Sequence, residues 1–190
     1  MHLIFGLGNI GKEYKNTRHN VGFMVIDYLS KKWNITIKKV KHLALFGKGE
    51  ISFEGIKEDI ILAKPLTYMN LSGRAVKPFS EYFMIPVSHI IIVHDDIDLR
   101  LGNIKIKTGG SDAGHKGIRS IINLVNPDFI RVRVGIGRPE NSGQVVADYV
   151  LSTFDKDEKA LITESIKRAS EAIETTIFKG LDEAQRQFNR

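Results

Sequence analysis

Met1-His2-Leu3-Ile4-Phe5-Gly6-Leu7-Gly8-Asn9-Ile10-Gly11 opens the chain, and the place where the next helix begins decides which fold these residues start. The apolar run reads as a short buried strand over 2–7 that ends at glycines. Gly6, Gly8 and Gly11 match G-x-G-x-x-G. In a dinucleotide-binding fold that turn opens directly into a helix whose N-terminus holds a pyrophosphate, and an acid follows about 20 residues on, at the end of a second strand. Here residues 12–18 are charged and lack helical apolar spacing. The helical pattern Val21, Met24, Val25, Tyr28, Leu29 begins only after Asn20, the expected N-cap, and Asp27 falls inside that helix. The late start argues against a nicotinamide or flavin site. It leaves the glycines to turn the backbone tightly and project Asn9 from the strand end.

Strand and helix signals alternate along the rest of the chain. Residues 35–37 and 43–51 suggest strands, and 59–63 is a buried strand closed by Lys64-Pro65. A helix is expected from Asn70 toward Met84, kinked or split at Pro78. An apolar strand over 89–93 ends on Asp95-Asp96. Residues 103–108 alternate apolar side chains with lysine, so one face of that strand is expected in solvent. A helix around 117–124 and a strand over 130–136 follow. Asp155-x-x-Glu158 resembles a capping box opening an amphipathic helix with Leu161, Ile162, Ile166, Ala169 and Ile173 on one face and Gly180 as its C-cap. With no repeat and no linker, the expectation is one α/β domain over residues 1–190, a sheet covered by helices.

Composition narrows the classes. The chain has 190 residues, 42% hydrophobic and 26% charged, a globular mixture long enough to bury a substantial core. Cysteine is absent, which removes disulfides and thiolate metal sites. The first residues carry neither a charged n-region nor a long apolar h-region, and no apolar run approaches the roughly 18 residues of a membrane span. A soluble cytoplasmic protein is the expectation. The net charge of +6 is unevenly spread: residues 1–50 hold nine basic and three acidic side chains, residues 100–138 eight and two, and the other two segments are net acidic. Such blocks suit a polyanionic partner.

Histidines occur at 2, 19, 42, 89, 94 and 115. His2, His42 and His89 lie in no polar constellation. His19, in Thr17-Arg18-His19-Asn20, sits at a loop-to-helix junction after a strand end, where α/β proteins place reactive groups. His94-Asp95-Asp96-x-Asp98 ends an apolar strand, and its residue types allow a metal site, a carboxylate that orients a histidine elsewhere, or a turn. No HExxH, P-loop or G-x-S-x-G motif is present, so zinc protease, P-loop NTPase and serine hydrolase readings lack support.

Six blocks, taken in order, resemble the bacterial peptidyl-tRNA hydrolase family. They are Gly6-Leu7-Gly8-Asn9; Tyr14-x-x-Thr17-Arg18-His19-Asn20-x-Gly22; Lys64-Pro65-x-Thr67-Tyr68-Met69-Asn70-x-Ser72-Gly73; His94-Asp95-Asp96-x-Asp98-Leu99; Gly109-Gly110 to Gly114-His115-x-Gly117; and Arg131-x-Arg133-x-Gly135-x-Gly137. Each block is weak alone, but six in register over residues 3–139 are specific. The resemblance implies a single α/β domain with a twisted mixed β-sheet flanked by helices. It also implies hydrolysis of the ester between a peptide and the terminal ribose of tRNA, without metal or organic cofactor, by a monomer. Carried onto this chain, His19 takes a proton from water and Asp95 orients it. Asn9 and Asn70 offer side-chain amides to the peptide carbonyl and the developing oxyanion, and Met69 and Tyr14 line the groove. Lys107 and Arg133 hold the 5′-terminal phosphate of tRNA, with Lys105 on the same strand face. His115 and Lys116 are candidates without an assigned role.

Three positions depart from the family pattern. Ile10 replaces a usual proline, Lys116 stands where an asparagine is usual, and Pro78 is unusual in its helix. Two rival readings remain at this point. One is a non-catalytic RNA-binding relative, which would not need the set Asn9, His19, Asn70 and Asp95. The other is a metal-dependent phosphoesterase centred on His94 to Asp98.

Overall fold

The computed structural model describes residues 1–139 and 145–189. Seven strands form one mixed sheet: β1 (His2–Gly6), β2 (Lys39–Lys41), β3 (Ala44–Phe53), β4 (Ile56–Pro65), β5 (Ile90–Asp96), β6 (Ile104–Thr108) and β7 (Ile130–Gly135). Their order is β2-β3-β4-β1-β5-β7-β6. The central strands β4, β1, β5 and β7 are mutually parallel, and β2, β3 and β6 run antiparallel to their neighbours. Parallel strands need crossovers, and helices supply them, so β1 and the stretches 60–63 of β4 and 90–93 of β5 are buried on both faces and read as apolar runs, whereas β7 alternates apolar residues with Arg131 and Arg133.

Period two sorts those runs between two cores. Ile4, Ile60, Leu62, Ile91 and Val93 face one layer with Val25, Ile26 and Leu29 of α1 (Val21–Lys32) and Ile162, Ala169 and Ile173 of α5 (Glu158–Lys179). Leu3, Phe5, Ile61, Ile90 and Ile92 face the other, with Val76 and Phe79 of α2 (Gly73–Tyr82) and Ile118 and Ile121 of α3 (Lys116–Ile122). Two short helices, α4 (Val146–Val150) and α6 (Leu181–Phe188), flank α5 in sequence. The free edge of β6 is closed by Asn189 just past α6: its side-chain oxygen accepts from the Ile106 N–H at 2.6 Å, and its amide donates to the Ile106 carbonyl at 2.9 Å. That pairing occupies an edge strand's spare backbone groups.

Several expectations need correction. Residues 35–37 form no strand. The Ile35 N–H donates to the Ser30 carbonyl at 2.9 Å and the Ile35 carbonyl accepts from Ser30 Oγ at 2.7 Å, so this segment is bound to the end of α1 rather than to a neighbouring strand. Pro78 neither ends nor splits α2, which runs unbroken from Gly73 to Tyr82. The carbonyl that loses its donor belongs to exposed Arg74, where water can replace it. Leu161 is 51% exposed while Ile162 is buried, so the apolar stripe of α5 begins one residue later than expected. Half of the capping box is made: the Asp155 N–H donates to Glu158 at 2.8 Å.

Gly6 and Gly8 serve close approach rather than turning. A Cβ on Gly6 would lie 2.2 Å from the Gly22 carbonyl oxygen, one on Gly22 2.4 Å from Leu7 N, and one on Gly8 2.7 Å from the Phe23 ring. Only Gly11, at φ 125°, takes a backbone conformation that favours glycine. The signature at the start of the chain seats α1 directly against the end of β1.

Candidate active site

That close seating brings three strand ends and a helix start together. The Leu7 N–H donates to the Val93 carbonyl at 2.9 Å, binding the exit of β1 to β5. Beyond it, Asn9 meets Asn20, eleven residues on. The Asn9 N–H donates to Asn20 Oδ1 at 2.8 Å and Asn20 Nδ2 donates to the Asn9 carbonyl at 3.0 Å. Asn20 therefore makes no side-chain cap on α1. Its 1% exposed amide ties the exit of β1 to the start of α1 instead. Sequence reading assigned Asn20 only a local role, because a reciprocal pairing with the strand exit leaves no periodic signal.

Asn9 in turn accepts the Met69 N–H on its Oδ1 at 2.8 Å. An amide nitrogen cannot accept such a bond, so Asn9 Nδ2 is the end left to donate to a ligand. Met69 is 4% exposed and Asn70 exposed, both in a 3-10 turn after β4. Gly117 of α3 passes so close that a Cβ there would lie 2.5 Å from Met69 Sδ.

Asp95, at the end of β5, is 2% exposed and joins two imidazoles. His19 Nδ1 lies 2.8 and 2.9 Å from its two oxygens, and His115 Nε2 lies 2.9 Å from Oδ1. The His115 Nδ1 accepts the Ile118 N–H at 3.2 Å, so its proton sits on Nε2 and is given to Asp95. Burial disfavours a charge on Asp95, but His19 and His115 outweigh it and hold the carboxyl well below its ordinary value. Burial likewise opposes protonation of His19. The charge and hydrogen bond of Asp95 overcome this and raise its pKa above the ordinary 6.5, with Lys116 pulling the other way. His19 is thus held through Nδ1, and its Nε2 has no protein partner among the described residues.

A metal centred on His94 to Asp98 does not fit these donors. Asp96 pairs with Arg133 at 2.6 Å and Asp98 with Arg138 at 2.5 Å, and among the described residues His94, Asp96 and Asp98 do not gather into a group with metal-ligand spacing. His19, Asp95 and His115 do bring ligand-type atoms within 4.8 Å of one another. The His115 nitrogen in that group is the protonated one, however, a donor rather than a ligand.

These groups face a cavity of about 590 Å³. Asn9, His19, Met69, Asn70, Asp95, Lys107, His115, Lys116 and Arg133 all contribute to its wall. Tyr14 and Lys105 do not. Tyr14 sits half-buried in the turn before Thr17, where its carbonyl accepts from Thr17 Oγ1 at 2.9 Å; Tyr68 is the tyrosine that reaches the wall. Lys105 shares its strand face with Lys107 but is exposed beyond the cavity. The register Lys105↔Arg133 and Lys107↔Arg131 puts four cations on one face. Of these Arg131 was missed as a site residue. It is 2% exposed and donates to the Gly110 and Ser111 carbonyls, each at 2.7 Å, which shapes the loop before α3. Burial and the neighbouring arginines lower the pKa of Lys107, as expected where cations crowd with few acids. Ile97, Val146, Val150 and Leu151 add apolar side chains to the wall. One cavity thus offers an oriented base, amide donors, a cationic shelf and an apolar pocket.

No described helix is long and apolar enough to cross a membrane. The family model for peptidyl-tRNA hydrolase matches residues 3–190. The chain is 48% identical to the peptidyl-tRNA hydrolase of Bacillus pumilus over 97% of this chain and 96% of that one. It is 46% identical to that of Geobacillus thermodenitrificans over the full length of both. Among solved structures, the peptidyl-tRNA hydrolase of Acinetobacter baumannii superposes with a TM-score of 0.88 at 37% identity, covering 98% of this chain and 93% of the other. Order of blocks, sheet topology and full-length similarity agree, and the chain belongs to the peptidyl-tRNA hydrolase family.

Proposed function

We propose that this chain hydrolyses the ester joining a peptide, or any N-blocked aminoacyl group, to the 3′-terminal ribose of tRNA, and so returns tRNA from prematurely released peptidyl-tRNA. Family membership supports the reaction. The observation that carries its assignment to a site is the buried His19–Asp95 pair at a cavity that also holds amide donors and cations.

His19 Nε2 takes a proton from a water molecule as its oxygen attacks the ester carbonyl. Asp95 keeps the ring in the required tautomer and stabilises the imidazolium. Asn9 Nδ2 and the Asn70 amide donate to the carbonyl oxygen as it becomes an oxyanion, a kind of contact that contributes about 3–4 kcal/mol. When the tetrahedral intermediate collapses, the imidazolium returns its proton to the departing ribose oxygen. Lys107 and Arg133 hold the tRNA through a terminal phosphate, a charge-assisted contact. We take the enzyme to act as a monomer in the cytoplasm, as the family resemblance implies. A purely RNA-binding relative would need the cationic shelf but not a histidine raised and oriented by a buried acid.

Purified protein is incubated with an N-acylated aminoacyl-tRNA and with the matching free aminoacyl-tRNA, with and without chelator. The first is cleaved, the second much more slowly, and chelator has no effect. His19→Ala lowers turnover by at least about a hundredfold while tRNA affinity is kept. Wild-type protein that cleaves neither substrate would refute the hydrolase assignment.

A further inference from the structure

Apolar side chains of α4 line the cavity, and α4 is held by the residue next to His19. Arg18 is 3% exposed, although it is a full charge. Its Nη1 and Nη2 donate to the two oxygens of Glu158, at 2.9 and 2.6 Å, and its Nε donates to Ser152 Oγ at 3.2 Å. The guanidinium lies 4.5 Å from the Tyr149 ring centre and 4.9 Å from that of Phe154. Backbone contacts follow the same path: the Arg18 N–H donates to the Ser152 carbonyl at 2.9 Å, and Thr17 bridges Thr153. Residues 149–158 thus wrap around one side chain, and the Tyr149 hydroxyl pins the same stretch to the Ile136 carbonyl at 2.7 Å.

A bidentate ion pair with one partner buried and the other half-buried is a poor way to gain stability, since desolvation offsets much of its attraction. It does fix geometry, because the planar fork meets both carboxylate oxygens in one arrangement. What it fixes here is the separation between His19, whose backbone continues from Arg18, and Val146, Val150 and Leu151, which line the same cavity.

We propose that Arg18 is a positioning residue that sets the width of the apolar pocket for the peptide's last side chain, the one on the amino acid esterified to tRNA. The inference rests on the hydrolase reading above. Proton transfer at His19 does not pass through Arg18, because His19 is oriented by Asp95 from the other side. Loosening the clamp lowers capture of substrates that fill the pocket and spares those that do not. Binding that is equal in ground and transition states appears in KM, not kcat.

Steady-state hydrolysis is compared for N-acetyl-phenylalanyl-tRNA and N-acetyl-glycyl-tRNA with wild type, Glu158→Gln, Arg18→Lys and Arg18→Met. For Glu158→Gln and Arg18→Met, KM for the phenylalanyl substrate rises about tenfold with kcat within about twofold, and KM for the glycyl substrate is unchanged. Arg18→Lys, which keeps the charge but not the fork, falls between. The acid limb of the pH profile and inhibition by deacylated tRNA stay at wild-type values. An equal loss on both substrates, a loss confined to kcat, or no loss at all overturns the proposal. Should the Arg18 variants not fold, Glu158→Gln together with Ser152→Ala decides by the same ratio. Wild type inactive on both substrates overturns the hydrolase reading and this inference with it. Activity without the substrate split overturns only the inference.

Discussion

At the scale of single residues, the site is a balance around Asp95. Four contributions act on His19: burial lowers its pKa, the charge of Asp95 and its hydrogen bond each raise it, and Lys116 lowers it. The net shift is upward, so the active, neutral base is lost on acidification at a pH above the 6.5 of a free imidazole. Asp95→Asn removes both raising contributions and leaves the two lowering ones. The acid limb of kcat/KM therefore moves to lower pH, while the plateau falls by about two to four orders of magnitude as orientation and imidazolium stabilisation are lost. A limb that stays in place or moves to higher pH would contradict the pairing. His19 and Asp95 were legible in the sequence because each sits in a recognisable block. His115, the second imidazole on Asp95, stood in a block too, but nothing in its spacing says that a loop 20 residues downstream folds back onto the carboxylate.

Elements were legible where burial imposes a period and illegible where a single contact decides. The central strands and α1, α3 and α5 follow their apolar patterns to within a few residues. β2, α4 and α6 went unseen: the first has three residues, the second five, and the third follows Gly180 so closely that the C-cap of α5 reads as the end of structure. The junction of β1 and α1 shows how the two kinds of information differ. Gly22 is within the first turn of α1, where helix propensity favours alanine by about 1 kcal/mol. Yet its Cβ would lie 2.4 Å from Leu7 N and 2.5 Å from the carbonyl oxygens of Leu7 and Val93. All three are backbone atoms, of β5 and of the residue just past β1, and cannot swing aside. Overpacking of this kind costs about 1–3 kcal/mol or more, so Gly22→Ala is expected to lower the urea midpoint despite the propensity gain. A raised midpoint would show that α1 can withdraw from the sheet without cost.

For the whole molecule, the charge map read from the sequence and the one built by the fold disagree in an informative way. Two basic segments, 1–50 and 100–138, suit a polyanionic partner by composition. Only the second delivers cations to the cavity wall: Lys107, Lys116, Arg131 and Arg133. The first segment contributes Asn9 and His19 there, and several of its cations are engaged elsewhere. Arg18 is clamped to Glu158, Lys32 pairs with Glu174 at 2.6 Å, and Lys41 and Lys48 lie 3.7 and 4.0 Å over the rings of Tyr82 and Phe83. Composition counts charges, whereas binding depends on which of them line the cavity where a phosphate can reach them. Affinity for deacylated tRNA should fall steeply with salt, since each neutralised phosphate releases counterions. Measured by fluorescence anisotropy between about 50 and 200 mM salt, Lys107→Gln flattens the plot of log affinity against log salt by about one unit of slope. Arg133→Gln flattens it similarly and weakens binding further, because it frees the Asp96 carboxylate beside the incoming phosphate. Lys41→Gln and Lys48→Gln, which change net charge by the same amount, leave the slope where it was. If all four variants flattened it alike, binding would follow net charge rather than the shelf formed by β6 and β7.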